Sequence, residues 1–171
     1  MKTYQAALTA IPIIAAAVTF DAAFAGGWQL KTTTDNLDST KQSEAVYSEA
    51  KPFQQNGSPV RSFLSVYCFK SEKRPELTAA LQFSSAVAIG KAQFRWRVDE
   101  KAIWSKNLLI DGTFLLLSGT MEKDGSMIDS LRGAQMMRVE ANLPWAGVVL
   151  LDFDVSGAAE AFAKLPCGKT K

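Results

Sequence analysis

The chain has 171 residues, with 19 basic and 17 acidic side chains, two cysteines and no histidine. Without histidine there is no Ser-His-Asp or Cys-His catalytic arrangement and no imidazole ligand for zinc. Two cysteines are too few for an iron–sulfur cluster or an all-thiolate zinc site within one chain. A net charge of +2 is too small to draw the chain to nucleic acid or to an acidic membrane by electrostatics. The 47% hydrophobic and 21% charged content belongs to a folded domain, not a disordered one.

Residues 1–25 have the pattern of a secretory leader. Lys2 supplies the positive start, Ala6 to Phe20 form an apolar stretch, and Ala23-Phe24-Ala25 matches the small-x-small cleavage site. The apolar run is short for a membrane span and Asp21 follows it, which disfavours an uncleaved anchor and stable membrane insertion. Gly26 to Lys171 then forms a single domain. Export places Cys68 and Cys167 in an oxidising compartment, where a lone pair of cysteines reads as one disulfide. A redox-active pair would show C-x-x-C spacing, which is absent.

Along the domain, Trp28 to Thr34 alternates as a first strand, and Glu44 to Ser48 is a weaker one. Between them Asp35 to Ser39 is rich in turn residues. Lys51 to Pro59, with Pro52, Asn56-Gly57 and Pro59, has the composition of a loop. Asn56-Gly57-Ser58 also fits a glycosylation sequon, but Asn-Gly is above all a turn pair. Ser62 to Phe69, Leu77 to Phe83 and Ala92 to Val98 are clear strands. Asp99-Glu100 predicts a tight hairpin into Lys101 to Trp104, and Phe114 to Ser118 is a short strand. Met127, Ile128 and Leu131 at helical spacing predict a short helix ending at Gly133. Met136 to Ala141 returns to strand. Val148 to Asp154 is the most hydrophobic strand and is expected at the centre of the sheet. A last helix starts near Ser156 as N-cap and stops before Pro166. The pattern predicts a mainly β (α+β) domain: an antiparallel β-sandwich or curled sheet with two short C-terminal helices and one disulfide.

Few residues suggest chemistry. Asp152 and Asp154, two apart on a strand, project from one face and have the form of an acid–base pair or of calcium ligands. The simpler use is the solvated end of a strand, with Asp154 placed favourably before the last helix. Arg95, Arg97 and Asp99 lie opposite Phe94, Trp96 and Val98. They form the best candidate surface for a partner's anionic groups, against the plainer reading of a solvent-facing stripe of cross-strand ion pairs. Trp96 is expected in the core. Trp28 near the new N-terminus and Trp145 after Pro144 are the candidates for partial exposure and partner binding, against the plainer reading of core or rim packing. No G-x-S-x-G, Walker or dinucleotide glycine pattern occurs, so neither catalysis nor a cofactor or metal is expected.

Trp28, Thr32-Thr33-Thr34-Asp35, Cys68, Phe94-Arg95-Trp96-Arg97-Val98-Asp99, Trp104 and Met127 to Leu131 occur in a recognisable order. They close on Phe153-Asp154-Val155-Ser156-Gly157 leading through Ala161 and Leu165 to Cys167. In this order the chain resembles the VasI/TagO-like exported proteins associated with type VI secretion and related proteobacterial periplasmic proteins. It departs from them in the Asp35-Asn36-Leu37-Asp38 segment, where a Ser/Asp-Pro turn is usual. The resemblance implies a periplasmic accessory or adaptor without catalytic residues, whose partner is an envelope or secretion-apparatus protein. Two other functions are kept beside it. One is inhibition of wall hydrolases through an exposed loop at Asp35 to Thr40, and the other is hydrolysis by Asp152 and Asp154 with one carboxyl pKa raised by its neighbour. In a bacterium with an intact export pathway, mass spectrometry is expected to find Gly26 as the first residue. Recovery beginning at Met1 overturns the leader.

Overall fold

A computed structural model describes residues 20–23, 27–34, 42–70, 75–117 and 127–168. Most of the stretch read as a leader, the segments Asp35 to Thr40 and Ser71 to Lys73, and the end of the strand expected to reach Ser118 lie outside the described residues. Strands β1 (Phe20–Ala23), β2 (Gln29–Thr34), β3 (Gln42–Gln55), β4 (Ser58–Lys70) and β5 (Pro75–Phe83) run as an antiparallel meander. The chain then moves away to β6 (Ala88–Val98) and returns through β7 (Trp104–Gly112) and β8 (Phe114–Leu116) to pair with β5. After α1 (Met127–Arg132), strand β9 (Met136–Leu143) pairs with the other side of β6. Strand β10 (Gly147–Asp154) follows at the end of the sheet, and α2 (Ala158–Ala163) closes the described chain. The result is one 10-stranded antiparallel sheet in the order β1-β2-β3-β4-β5-β8-β7-β6-β9-β10. Strand β1 falls within the stretch read as leader.

Period-2 alternation forces one face of this sheet inward. On β6 the buried positions are Ala92, Phe94, Trp96 and Val98, and on β9 they are Met137, Val139, Ala141 and Leu143. β10 adds Val149, Leu151 and Phe153. The sheet curls around these side chains until its far end meets its beginning. There the Ser48 hydroxyl on β3 donates to the Asp154 carbonyl at the end of β10, at 2.8 Å. Gly27 passes beside Asp154 in a left-handed conformation, φ 76°, which glycine adopts without the Cβ penalty of other residues. The curled sheet, not the sandwich, is the solution the chain adopts.

The two helices plug the inside of the curl. α1 buries Met127, Ile128 and Leu131, and α2 buries Ala158, Ala161 and Phe162. The Trp28 ring meets Phe162 edge-on with centroids 5.2 Å apart, and the Arg132 guanidinium lies 5.9 Å from the Phe162 centroid. Cys68, on the inward register of β4, is bonded to Cys167 just after α2, with Cα atoms 5.8 Å apart. The expected disulfide is therefore present and fastens the helical plug to the meander.

Several expectations are corrected. Lys51 to Pro59 is not a loop: β3 and β4 run through it, and only Asn56 (φ 51°) and Gly57 (φ 77°) turn, as a two-residue hairpin of the primed type. Pro52 fits because the β3–β4 register shifts between Ala50 and Phe53, and a bulge tolerates a residue without an N–H. The strand expected at Lys101 to Trp104 starts only at Trp104 and continues to Gly112; Lys106 interrupts the inward alternation of Trp104, Leu108 and Ile110 and hides it. β10 is an edge strand and not a central one: Val148 and Leu150 face outward, 65% and 64% exposed. Ser156 does not cap the last helix. Gly157 occupies the N-cap position with no side-chain cap.

Trp28 is 0% exposed, which removes it as a candidate partner-binding residue and leaves the core reading, whereas Trp145 is 48% exposed. Proximity to the chain start does not expose Trp28, because α2 folds back over it. In denaturant unfolding, Trp28→Ala is expected to cost about 3–5 kcal/mol. Replacing both cysteines by serine should cost about 2–5 kcal/mol, and Trp145→Ala less than about 0.5 kcal/mol.

Candidate functional site

The residues singled out on β6 stand on the outer face of the sheet, because Phe94, Trp96 and Val98 take the inner one. Antiparallel register extends that face sideways. One row runs Ser105–Arg95–Glu140–Leu150 across β7, β6, β9 and β10. The next runs Arg97–Arg138–Asp152. Cross-strand neighbours on one face are close enough to pair. Arg95 donates through Nη1 to Glu140 Oε1 at 2.9 Å. Arg138 holds both oxygens of Asp152, Nε to Oδ1 at 2.6 Å and Nη2 to Oδ2 at 2.9 Å. Arg97 reaches Glu100, at 3.5 Å, in the turn that follows β6.

These side chains enclose a shallow concavity of ≈ 200 Å³ lined by Arg95, Arg97, Arg138 and Glu140 with Ile103 and Leu150 as its apolar walls. Ile103 and Leu150 are both well exposed. Arg95 and Arg97 therefore line the same concavity. Asp99 does not join it. In the turn after β6, at φ 49°, its Oδ1 accepts the backbone N–H groups of Gln135 (3.0 Å) and Met136 (2.9 Å). Its carboxylate clamps the start of β9 to the β6–β7 turn, which is a structural task. Trp145 lies in the β9–β10 turn, away from the arginines.

Asp152 and Asp154 project from one face as their spacing requires, but they are engaged separately. Asp154 Oδ1 accepts from the Ser156 N–H (3.0 Å) and hydroxyl (2.6 Å). The Arg138 guanidinium, hydrogen-bonded to Asp152, holds that carboxyl below the usual carboxylate range, with smaller pulls the same way from Arg97 and Lys51. This is opposite in sign to the raised pKa an acid–base pair would need. Among the described residues no group of three or more Cys, Asp or Glu side chains gathers as metal ligands do.

A second concavity, ≈ 250 Å³, lies on the outer face of β2–β5 and is lined by Lys31, Ala45, Tyr47, Arg61, Phe63, Ser65 and Gln82. Tyr47 and Phe63 meet edge-on at 5.8 Å, and the Arg61 guanidinium sits 5.1 Å from the Phe63 centroid. Arg61 is fixed there by two 2.6 Å hydrogen bonds to Glu49, which hold the Glu49 carboxyl below its ordinary range. Burial, and then Glu49, push the Tyr47 phenol up. Its hydroxyl donates to Gln29 Oε1 at 2.7 Å. Sequence reasoning took Phe63 and Tyr67 only as strand residues. The available signal was the alternation Arg61, Phe63, Ser65, Tyr67, which places a small residue between two rings.

Set against known protein families, characterised proteins and solved structures, the chain matches none of them.

The acid response follows from the pairs. A carboxylate whose pKa is lowered by folding adds stability that is present above its unfolded pKa and is lost as pH falls through its folded value. Asp152 and Glu49 are both of this kind, so the urea midpoint is expected to drop as pH is taken below the ordinary carboxylate range. Arg138→Met should remove the Asp152 part of that drop and leave the Glu49 part. Parallel titrations of the two proteins with identical slopes would refute the assignment.

Proposed function

We propose that the chain is a non-catalytic, exported binding protein of the bacterial cell envelope that docks a partner protein on the outer face of β7, β6, β9 and β10. The observation that carries this reading is the exposure of Val148 and Leu150 on the terminal strand beside the arginine rows. Isolated exposed aliphatics are ordinary. Here Leu150 adjoins Ile103 and three arginines around one concavity, with Val148 one outward position further along β10, and apolar side chains with arginine are what the centre of a protein interface uses. Arg97 is the best placed to change partners, because its contact with the exposed Glu100 is long and worth little in water. The leader pattern and the Cys68–Cys167 bond support an oxidising compartment outside the cytoplasm.

On the resemblance to VasI/TagO-like proteins, the partner belongs to a type VI secretion or related envelope assembly, and the chain acts as an adaptor. The wall-hydrolase inhibitor remains the second reading, with its loop at Asp35 to Thr40 outside the described residues. Hydrolysis by Asp152 and Asp154 draws no support from their separate engagement.

Affinity capture from crosslinked envelope extract tests this directly, with the exported, disulfide-bonded protein as bait. Recovery of membrane-core or sheath subunits supports the adaptor. Leu150→Glu, and Arg95→Glu with Arg97→Glu, should then lower recovery about tenfold in proteins whose unfolding midpoints stay near the parent's. Recovery of a muramidase alone replaces the adaptor with the inhibitor, and capture insensitive to both variants removes this face from the interface.

A further inference from the structure

The concavity on β2–β5 owes nothing to the arginine rows on the other half of the sheet. Its shape follows from register. The row Gln29–Tyr47–Ser65–Ala80 crosses β2 to β5 between the rows Lys31–Ala45–Tyr67–Thr78 and Glu49–Phe63–Gln82. Ala45 and Ser65 are small where their neighbours Tyr47, Phe63 and Tyr67 carry rings, so the outer surface dips there. Ala80 is fully buried yet stands outside the core cluster, and Ser65 and Thr78 are buried beside it on the same outer face. Closed over at Ala80 and Thr78, the face stays open at Ala45 and Ser65 beside Tyr47, Phe63 and Lys31, and there it forms a concavity and not the flat stripe that alternation alone would give.

The walls have defined chemistry. Tyr47 and Phe63 give ring surface, the Gln82 amide and Ser65 hydroxyl give neutral hydrogen-bonding groups, and Lys31 and Arg61 give positive charge. Among the described residues no carboxylate lines the notch. Glu49, paired with the lining residue Arg61, has both oxygens occupied by Arg61 Nε and Nη2. A guanidinium has five N–H donors, so Arg61 retains others while held in place. Lys31 leaves the lining with a surplus of positive charge. At ≈ 250 Å³ the space suits one small ring and not an extended chain.

We infer that this notch binds a single carboxylated sugar ring. The ring's C–H face packs on the aromatic wall, its hydroxyls meet Gln82 and Ser65, and its carboxylate meets Lys31 and the remaining donors of Arg61. A neutral sugar satisfies the wall and leaves the charge unused; a bare carboxylate does the reverse. Two sources share this chemistry, the lactyl-bearing amino sugar of the wall and a uronic acid of surface polysaccharide.

The test titrates the disulfide-bonded protein with N-acetylmuramic acid, glucuronic acid, N-acetylglucosamine and acetate, following saturable amide shifts by NMR. At least one acidic sugar should bind about fivefold or more tightly than N-acetylglucosamine, with acetate showing no saturation. Which acidic sugar binds identifies the source. Lys31→Gln, an exposed position, should remove the preference for acid, and Tyr47→Ala should weaken both sugars about tenfold. Equal binding of acidic and neutral sugars, saturation by acetate, or no saturable binding overturns the inference. Leu150→Glu should leave sugar binding unchanged, so loss of partner docking and loss of this site are separable results.

Discussion

A sheet that curls to one side encloses an apolar face but leaves an end through which water reaches it. In this protein the opening is filled by Phe162 from α2, set between the edge of Trp28 and the guanidinium of Arg132. The helix is only six residues long, too short to be stable by its own hydrogen bonds. Its place is held by the burial of Ala158, Ala161 and Phe162 and by the bond from Cys167 to Cys68. Packing and tether need each other: the ring orients a helix that the disulfide keeps within reach. The cost of burying Trp28 is visible in its indole N–H, which has no hydrogen-bond partner among the described residues, as is that of Trp96. A buried unmet donor is unfavourable. Both rings nevertheless fill the interior, so volume outweighs the lost hydrogen bonds.

Because the inner face among the described residues is filled by apolar side chains and the helical plug, the two concavities described above lie on the outside. There the sheet divides into two territories. On β6, β9 and β10, Arg95 and Arg138 are paired with carboxylates one strand away and Arg97 more loosely with Glu100 in the following turn, and exposed aliphatics lie beside them. On β2 to β5 aromatic rings surround small residues, with a cation on the rim. The first resembles the centre of a protein interface, and the second a small-molecule notch. They are built from the same alternation and differ only in which residue types occupy the outward positions.

Much of this was legible locally. Met127, Ile128 and Leu131 located α1 because a short helix with three inward side chains needs no partner to be recognised. Phe94, Trp96 and Val98 located β6 and put Arg95 and Arg97 on the other face. What failed was nonlocal. Val148 to Asp154 is apolar on both faces, which reads as central burial, yet the fold puts it at an edge with Val148 and Leu150 outside. Glu140 and Arg138 joined the site only once β9 was known to lie beside β6, and no spacing rule reports that neighbour. The β3–β4 hairpin was hidden for another reason. Prolines usually mark a loop, but Pro52 sits at a register shift and Pro59 near the start of its strand, the two places a strand admits one. Asp99 was misread because its carboxylate serves backbone N–H groups that a sequence does not place.

The bridge joins residues 99 positions apart, and the chain contains no third cysteine. Oxidation within one molecule therefore has a single product, and the shuffling that burdens proteins with four or six thiols does not arise. Cys68 belongs to the meander and Cys167 to the tail that follows the last strand. A chain emerging from its amino end would present the first thiol well before the second. During that interval the only wrong partner is a thiol on another molecule. The hazard for this fold is thus covalent dimerisation at high local concentration, governed by how fast the tail arrives and not by the choice among pairings.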